Sequence, residues 1–216
     1  MTPHLFGHRS RHGDEKLEDI KGGWGPLMTV PFAKPDGTQL FFSWRLPTVL
    51  ELVDIPTLAE QATGAPPEVS EGAAAIVQAQ EAGLMILAGA LRAVAEPIEK
   101  RDVLATMTVV LADLHGKPDP QDFVPPDGPR TLHSKVDIEK INDRAWVIER
   151  NSAESPGEGE PPMPLFMIEY LVHMDYGMLA VTFTATGHGM GSPWARGVYR
   201  NVARGSRLGP EPPTDA

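Results

Sequence analysis

The sequence predicts an α+β protein built as a single antiparallel β-sheet with two main helices packed on one of its faces. Three observations predict it. First, Phe166, Ile168, Tyr170 and Val172 alternate with Met167, Glu169, Leu171 and His173, and beyond Asp175-Tyr176-Gly177 the residues Leu179, Val181 and Phe183 alternate with Ala180, Thr182 and Thr184, the period of a half-buried hairpin. Second, two further apolar runs close on turn chemistry, at Lys34-Pro35-Asp36-Gly37 and at Asn142-Asp143, which marks hairpins over 27–46 and 135–150. Third, helix start and stop signals mark two main helices, one after the first hairpin and one after the last.

Taken in order, residues 1–25 are polar, balanced in charge and closed by Gly22, Gly23 and Gly25, so they read as a flexible arm with at most a frayed helix over 14–20. The domain proper spans 26–208. Its first hairpin leads into a segment, 47–68, whose Pro47, Pro56, Pro66 and Pro67 limit any helix there to a short piece around 58–61. Pro67 to Glu71 then opens the alanine-rich run 72–82, and Gly83 is placed to stop that helix. Residues 84–94 fit either a prolonged helix or a buried strand, and the interrupting Gly83 and Gly89 with the following Pro97 favour the strand. Val103 to Leu111 is rich in β-branched residues. Ser152 to Pro164 reads as an acidic Pro/Gly loop. The closing helix covers 193–206, with Ser192 as N-cap and Pro193 in the first turn, and residues 209–216 form a Pro-rich tail expected to be disordered.

Composition narrows the chemistry. Of 216 residues, 19 are Lys or Arg and 29 Asp or Glu, for a formal charge of −10, and there is no cysteine. Thiol nucleophiles, disulfides, Cys-ligated zinc and iron–sulfur clusters are therefore excluded. The acidic balance argues against nucleic acid as a partner. The most apolar stretch, 83–91, is too short to span a bilayer, which needs about 20 apolar residues, and the first residues lack the apolar core of a signal peptide. A cytoplasmic protein without a membrane partner is the expectation, as monomer or homodimer.

The order hairpin, helix, antiparallel strands with long excursions, strand hairpin and terminal helix resembles the PsbP-like fold superfamily. That superfamily includes the photosystem II extrinsic protein, a Ran-binding nuclear import factor, actinobacterial lipoproteins and the effector chaperones of type VI secretion. The resemblance is carried by Ala82 to Leu87 running through Val103 to Leu111, by Val136 to Ile148, and above all by Phe166 to Tyr170 with Met178 to Thr184 before the closing helix. It implies a protein-binding module with no shared catalytic residues. The arm before Gly22, the Pro-rich excursion at 47–68 and the missing lipobox cysteine depart from the pattern, the last setting the chain apart from the lipoprotein branch.

Four local patterns compete as functional signals. Val109 to Gly116 ends a β-rich run in Asp113-x-His115-Gly116, the way metallophosphoesterases present their first two metal ligands, but the chain has no Asn-His pair to complete such a site, so a polar loop at a strand end is the stronger reading. Gly187-His188-Gly189-Met190-Gly191-Ser192 lies between a strand and a helix, where backbone N–H groups can hold a phosphate, yet no Lys follows it and no βαβ unit can form around it. His4, His8 and His12 are spaced for one helix face, but Pro3, Gly7 and Gly13 break that helix. Arg196, Arg200 and Arg204 form a stripe on the terminal helix, opposite Trp194, Val198 and Val202. Residues 47–90 hold no Lys or Arg but six carboxylates. The stripe reads first as a solvated face, with intramolecular pairing or an acidic protein partner as the alternatives.

The function expected from these features is a non-enzymatic protein-binding module, an adaptor, secretion chaperone or immunity-type protein, working through a sheet face, an edge strand or the arginine-bearing helix and needing no cofactor. A metal-dependent phosphoesterase built on Asp113 and His115 is the alternative.

Overall fold

A computed structural model describes residues 23–55, 57, 67–93, 103–113, 119–155, 157, 160–186 and 193–212. Its elements are β1 (Met28–Ala33), β2 (Gln39–Trp44), β3 (Leu50–Asp54), α1 (Pro67–Glu81), β4 (Met85–Ala93), β5 (Val103–Ala112), a 3-10 turn (Pro120–Phe123), β6 (Thr131–Asn142), β7 (Ala145–Glu154), β8 (Met163–Met174), β9 (Gly177–Thr186), α2 (Pro193–Gly205) and β10 (Arg207–Gly209).

The strands make two sheets, which corrects the expectation of a single sheet carrying two main helices. Seven strands run in the order β3-β4-β5-β9-β8-β7-β6 and three in the order β1-β2-β10, with antiparallel pairing throughout. The molecule is mostly β. Apolar alternation specifies which face of a strand is buried and is silent about its lateral neighbour, so the 27–46 hairpin was free to pack its Phe42 and Trp44 rings, stacked at 5.4 Å, over the large sheet instead of joining it.

Local chemistry explains the main turns. In the β1–β2 loop Lys34 N–H donates to Thr38 C=O and Gly37 N–H to Lys34 C=O, both at 2.9 Å, and Asp36 accepts from Thr38 N–H at 2.9 Å. That bond holds the Asp36 carboxyl below its usual range. At the end of α1, Leu84 N–H donates to Ala79 C=O and Gly83 N–H to Gln80 C=O, the double bond pattern of a Schellman cap. Gly83 has φ 68°, and a Cβ there would lie 2.8 Å from the Ala33 carbonyl, so glycine is needed both for its backbone and for the approach of β1. The 135–150 hairpin turns at Asp143–Arg144, one residue later than the sequence suggests.

Residues expected to be arm or tail extend the fold. Gly25 N–H donates to Leu46 C=O at 2.7 Å and Thr48 N–H to Gly23 C=O at 3.1 Å, which ties 23–25 to the corner after β2. Past α2, β10 pairs along β2 and buries Leu208. The 47–54 stretch yields β3, an edge strand of the large sheet, while the short helix expected at 58–61 lies outside the described residues.

The inner face of the large sheet holds the main core. One row across it is Val109, Val181, Tyr170 and Val147, and the next is Met107, Phe183 and Ile168, ending in Glu149. Helix α2 lies on these rows, between β8 and β9 on one side and β2 on the other, and buries Ala195, Val198, Tyr199, Val202 and Ala203, a stripe at i, i+3, i+4, i+7 and i+8. Tyr199 stacks on Phe183 at 4.8 Å, and burial pushes its hydroxyl pKa far up. Phe166, Ile168 and Val181 share this core, with Tyr170 packed against it, as the alternation predicts.

Candidate functional site

The arginine row of α2 turns toward the sheet. Arg200 Nε and Nη2 donate to one oxygen of Glu149 at 2.9 and 2.5 Å, and Nη1 pairs with Glu139 at 3.0 Å. The Arg200 and Glu149 side chains are 13% and 9% exposed. Arg196 lies over the Phe166 ring, 5.0 Å from its centroid, and reaches Asn151 at 3.5 Å, while Arg204 partly offsets the burial that raises the Tyr170 hydroxyl. Of the readings open for the stripe, intramolecular pairing describes Arg200. The reason is angular: at about 100° per residue Arg196 sits only about 20° beyond Ala203, so the row opposes Val198 yet borders the buried stripe on its Ala203 side. The Trp194 side chain is outside the described residues.

The other sequence signals separate in the fold. Asp113 is exposed just past β5, and Asp119 caps the 3-10 turn by accepting from Gln121 N–H at 2.9 Å. His115, residues 187–192 and the histidines of residues 1–22 lie outside the described residues. Among those described, no group of three or more His, Asp or Glu side chains could hold a metal ion, and no helix is long and apolar enough to cross a membrane.

The site the structure offers lies on the outer face of the large sheet. Trp146, Ile148, Met167, Leu171, Met178 and Ala180 are buried there, covered by the segment 119–128 through Phe123 and Val124. Arg150 fastens that segment: Nη1 donates to Pro125 C=O at 2.7 Å and Nη2 to Asp127 at 2.7 Å. Beside this clamp is a cavity of about 270 Å³ lined by residues of β6 to β9 and of the covering segment, among them Arg150, Ser152, Glu154, Leu165 and Met167. Ser152 and Arg150 are 6% and 7% exposed, yet Ser152 Oγ and Arg150 Nε have no hydrogen-bond partner.

One strand row further along the same face, Glu169 accepts from the Thr182 hydroxyl at 3.0 Å with one oxygen, and its other oxygen is buried without a partner. Burial raises its pKa against that hydrogen bond. Such orphaned groups cost free energy, and they are not confined to this face, since Trp44 Nε1 and Arg196 Nε on the inner side also lack a hydrogen-bond partner.

The cavity extends to the start of β6, where Gly128 and Thr131 line it. β6 is the last strand in the order, and among the described residues no strand pairs with its outer edge. Leu132, next to the lining residue Thr131, is 56% exposed, and Met163, paired in register with the lining Glu154, is 38% exposed. In the sequence this region appears as the start of an acidic loop at Ser152. The signal that could have found it is the alternation of Trp146, Ile148, Arg150 and Ser152, which places two polar residues in line with two large apolar ones on one face. No family model matches the chain, and no curated protein matches it.

Proposed function

We propose that the chain is a non-enzymatic protein-binding module, an adaptor, secretion chaperone or immunity-type protein, that takes an extended segment of another polypeptide along the outer edge of β6. The observation that carries this reading is the twelve-residue edge strand whose first residue lines a cavity beside two exposed apolar side chains, Leu132 and Met163. An unpaired edge supplies main-chain donors and acceptors, and neighbouring pockets supply selectivity. Lys135, Asp137 and Lys140 charge the middle and far end of β6, which discourages indiscriminate edge pairing there. Its Thr131 end carries Leu132 instead, and that is where a partner docks. With Arg200 engaged inside the molecule, capture falls to the sheet and α2 serves the core.

The test is a photo-crosslinking residue at Leu132, compared in the organism's own cells with one at Pro35 in the β1–β2 turn. A polypeptide adduct of discrete mass from position 132 alone is expected. Labelling at neither position, or equal labelling at both, overturns the proposal.

A further inference from the structure

We infer that the outer-face cavity is a subsite for one aliphatic residue of a peptide together with its neutral amide group. This rests on the capture of an extended segment by β6 and says what the partner must present there.

The donors define the polar half of the ligand. Arg150 and Ser152 stand two residues apart on β7 and so project to the same face. Both side chains line the cavity and both are more than nine-tenths buried. Each holds one donor without a protein partner, Arg150 Nε–H and the Ser152 hydroxyl. Both donor atoms are closed off from solvent, so a ligand oxygen satisfies them only as the surrounding side chains shift to admit it.

Charge decides which acceptor. The guanidinium of Arg150 is already committed to the Asp127 carboxylate and to the carbonyls of Pro125 and Pro126, and a second carboxylate, Glu154, lines the cavity. An anion entering here would meet two like charges and only one cation, itself already paired. A neutral carbonyl meets no such penalty, and an amide adds an N–H that Glu154 can accept. Of the remaining walls, Pro125, Pro126, Leu165 and Met167 are apolar and match an aliphatic side chain, with Thr131 and Thr184 adding two hydroxyls at the margin.

Size points the same way. A volume of about 270 Å³ is about nine times the share of one water molecule in the liquid, roughly 30 Å³, and lies below the roughly 300–1,000 Å³ of pockets for drug-sized ligands. One residue with its peptide group is the scale that fits.

The experiment titrates the full chain, isotopically labelled, with N-acetyl-leucine methylamide and separately with N-acetyl-leucine, following backbone amide shifts by NMR. The neutral diamide should give saturable shifts clustered at Ser152, Leu165 and Met167. The carboxylate should bind about tenfold more weakly, and Ser152→Ala should weaken the diamide about tenfold, the scale of one lost hydrogen bond. Leu165→Phe, which fills the cavity from an apolar wall, should abolish the shifts while the remaining spectrum stays folded. Tighter binding of the carboxylate would make this an anion site and overturn the inference. So would shifts that never saturate, that fall elsewhere, or that survive both variants. A crosslink at position 132 with a silent cavity would leave edge capture standing and sink the subsite, whereas cavity binding without any crosslink would do the reverse.

Discussion

The two faces of the seven-stranded sheet solve the same problem differently. On the inner face helix α2 and the small sheet share one core with the large sheet, and buried ions come as a set, Arg200 against Glu149 and Glu139. On the outer face a loop covers part of a second apolar cluster, and Arg150, Ser152 and Glu169 each keep one buried atom without a partner. A polar group satisfied inside a core specifies the fold. Groups left unsatisfied are costly to folding, and on the outer face two of them, Arg150 and Ser152, line a cavity, whereas on the inner side Trp44, whose Nε1 is unpartnered, lies within the core.

The largest expected effect breaks the inner face. Phe183 is fully buried and stacked on Tyr199, so Phe183→Ala should cost about 4 kcal/mol in denaturant unfolding, the range of large-to-small aromatic changes. Ile148→Ala on the outer face removes fewer atoms from beneath a covering loop and should cost about 2–3 kcal/mol. Equal losses would mean that the loop is as firmly packed as the helix, and the distinction between the faces would weaken.

Arg200→Met comes next, at about 3 kcal/mol, because it leaves Glu149 buried with its counter-charge gone. The double variant Arg200→Met, Glu149→Leu should recover most of that loss, since well-packed apolar residues replace buried ion pairs at little cost. If the single variant costs under about 1 kcal/mol, the row behaves as an exposed one would, and the solvated reading of the stripe would return. Gly83→Ala should follow with a loss of about 1–2 kcal/mol, since it combines a left-handed backbone with a close approach to the Ala33 carbonyl.

How much of this was legible in the sequence follows from what periodicity encodes. The face of the β8–β9 hairpin was readable, because Phe166, Ile168 and Tyr170 alternate cleanly and a one-residue slip would expose all of them, although the strands begin at Met163, inside the expected loop, and turn at Asp175–Tyr176 alone. β3 and β10 were not: one is five residues behind Pro47, the other three residues across the start of the Pro-rich tail, both too short for a period to register. The second sheet was hidden because lateral order leaves no local trace. The α2 stripe was readable as a stripe, and its direction was misjudged by centring the buried arc on Val198 when Tyr199 and Ala203 widen it toward the arginines. The cavity was hidden for another reason. Arg150 and Ser152 acquire meaning only when Pro125 to Gly128, more than twenty residues upstream, fold over them.

The smallest expected effect sharpens the outer face through pH. Glu169 is raised from its usual range by burial, and the Thr182 hydroxyl only partly opposes the rise. For a carboxyl whose folded pKa exceeds its unfolded one, the native state binds the proton more tightly. The carboxyl therefore imposes no ionisation cost below the ordinary glutamate range, and stability is lost as pH rises through the window up to the raised value, with the full cost present above it. Glu169→Gln removes that ionisation and keeps an oxygen that can accept from Thr182. Its urea midpoint should match the natural protein's at acid pH and exceed it at neutral pH, by less than any change above. A difference that stays flat across that range would show that Glu169 is solvated like a surface carboxylate, and the outer face would lose one of its three unpartnered atoms.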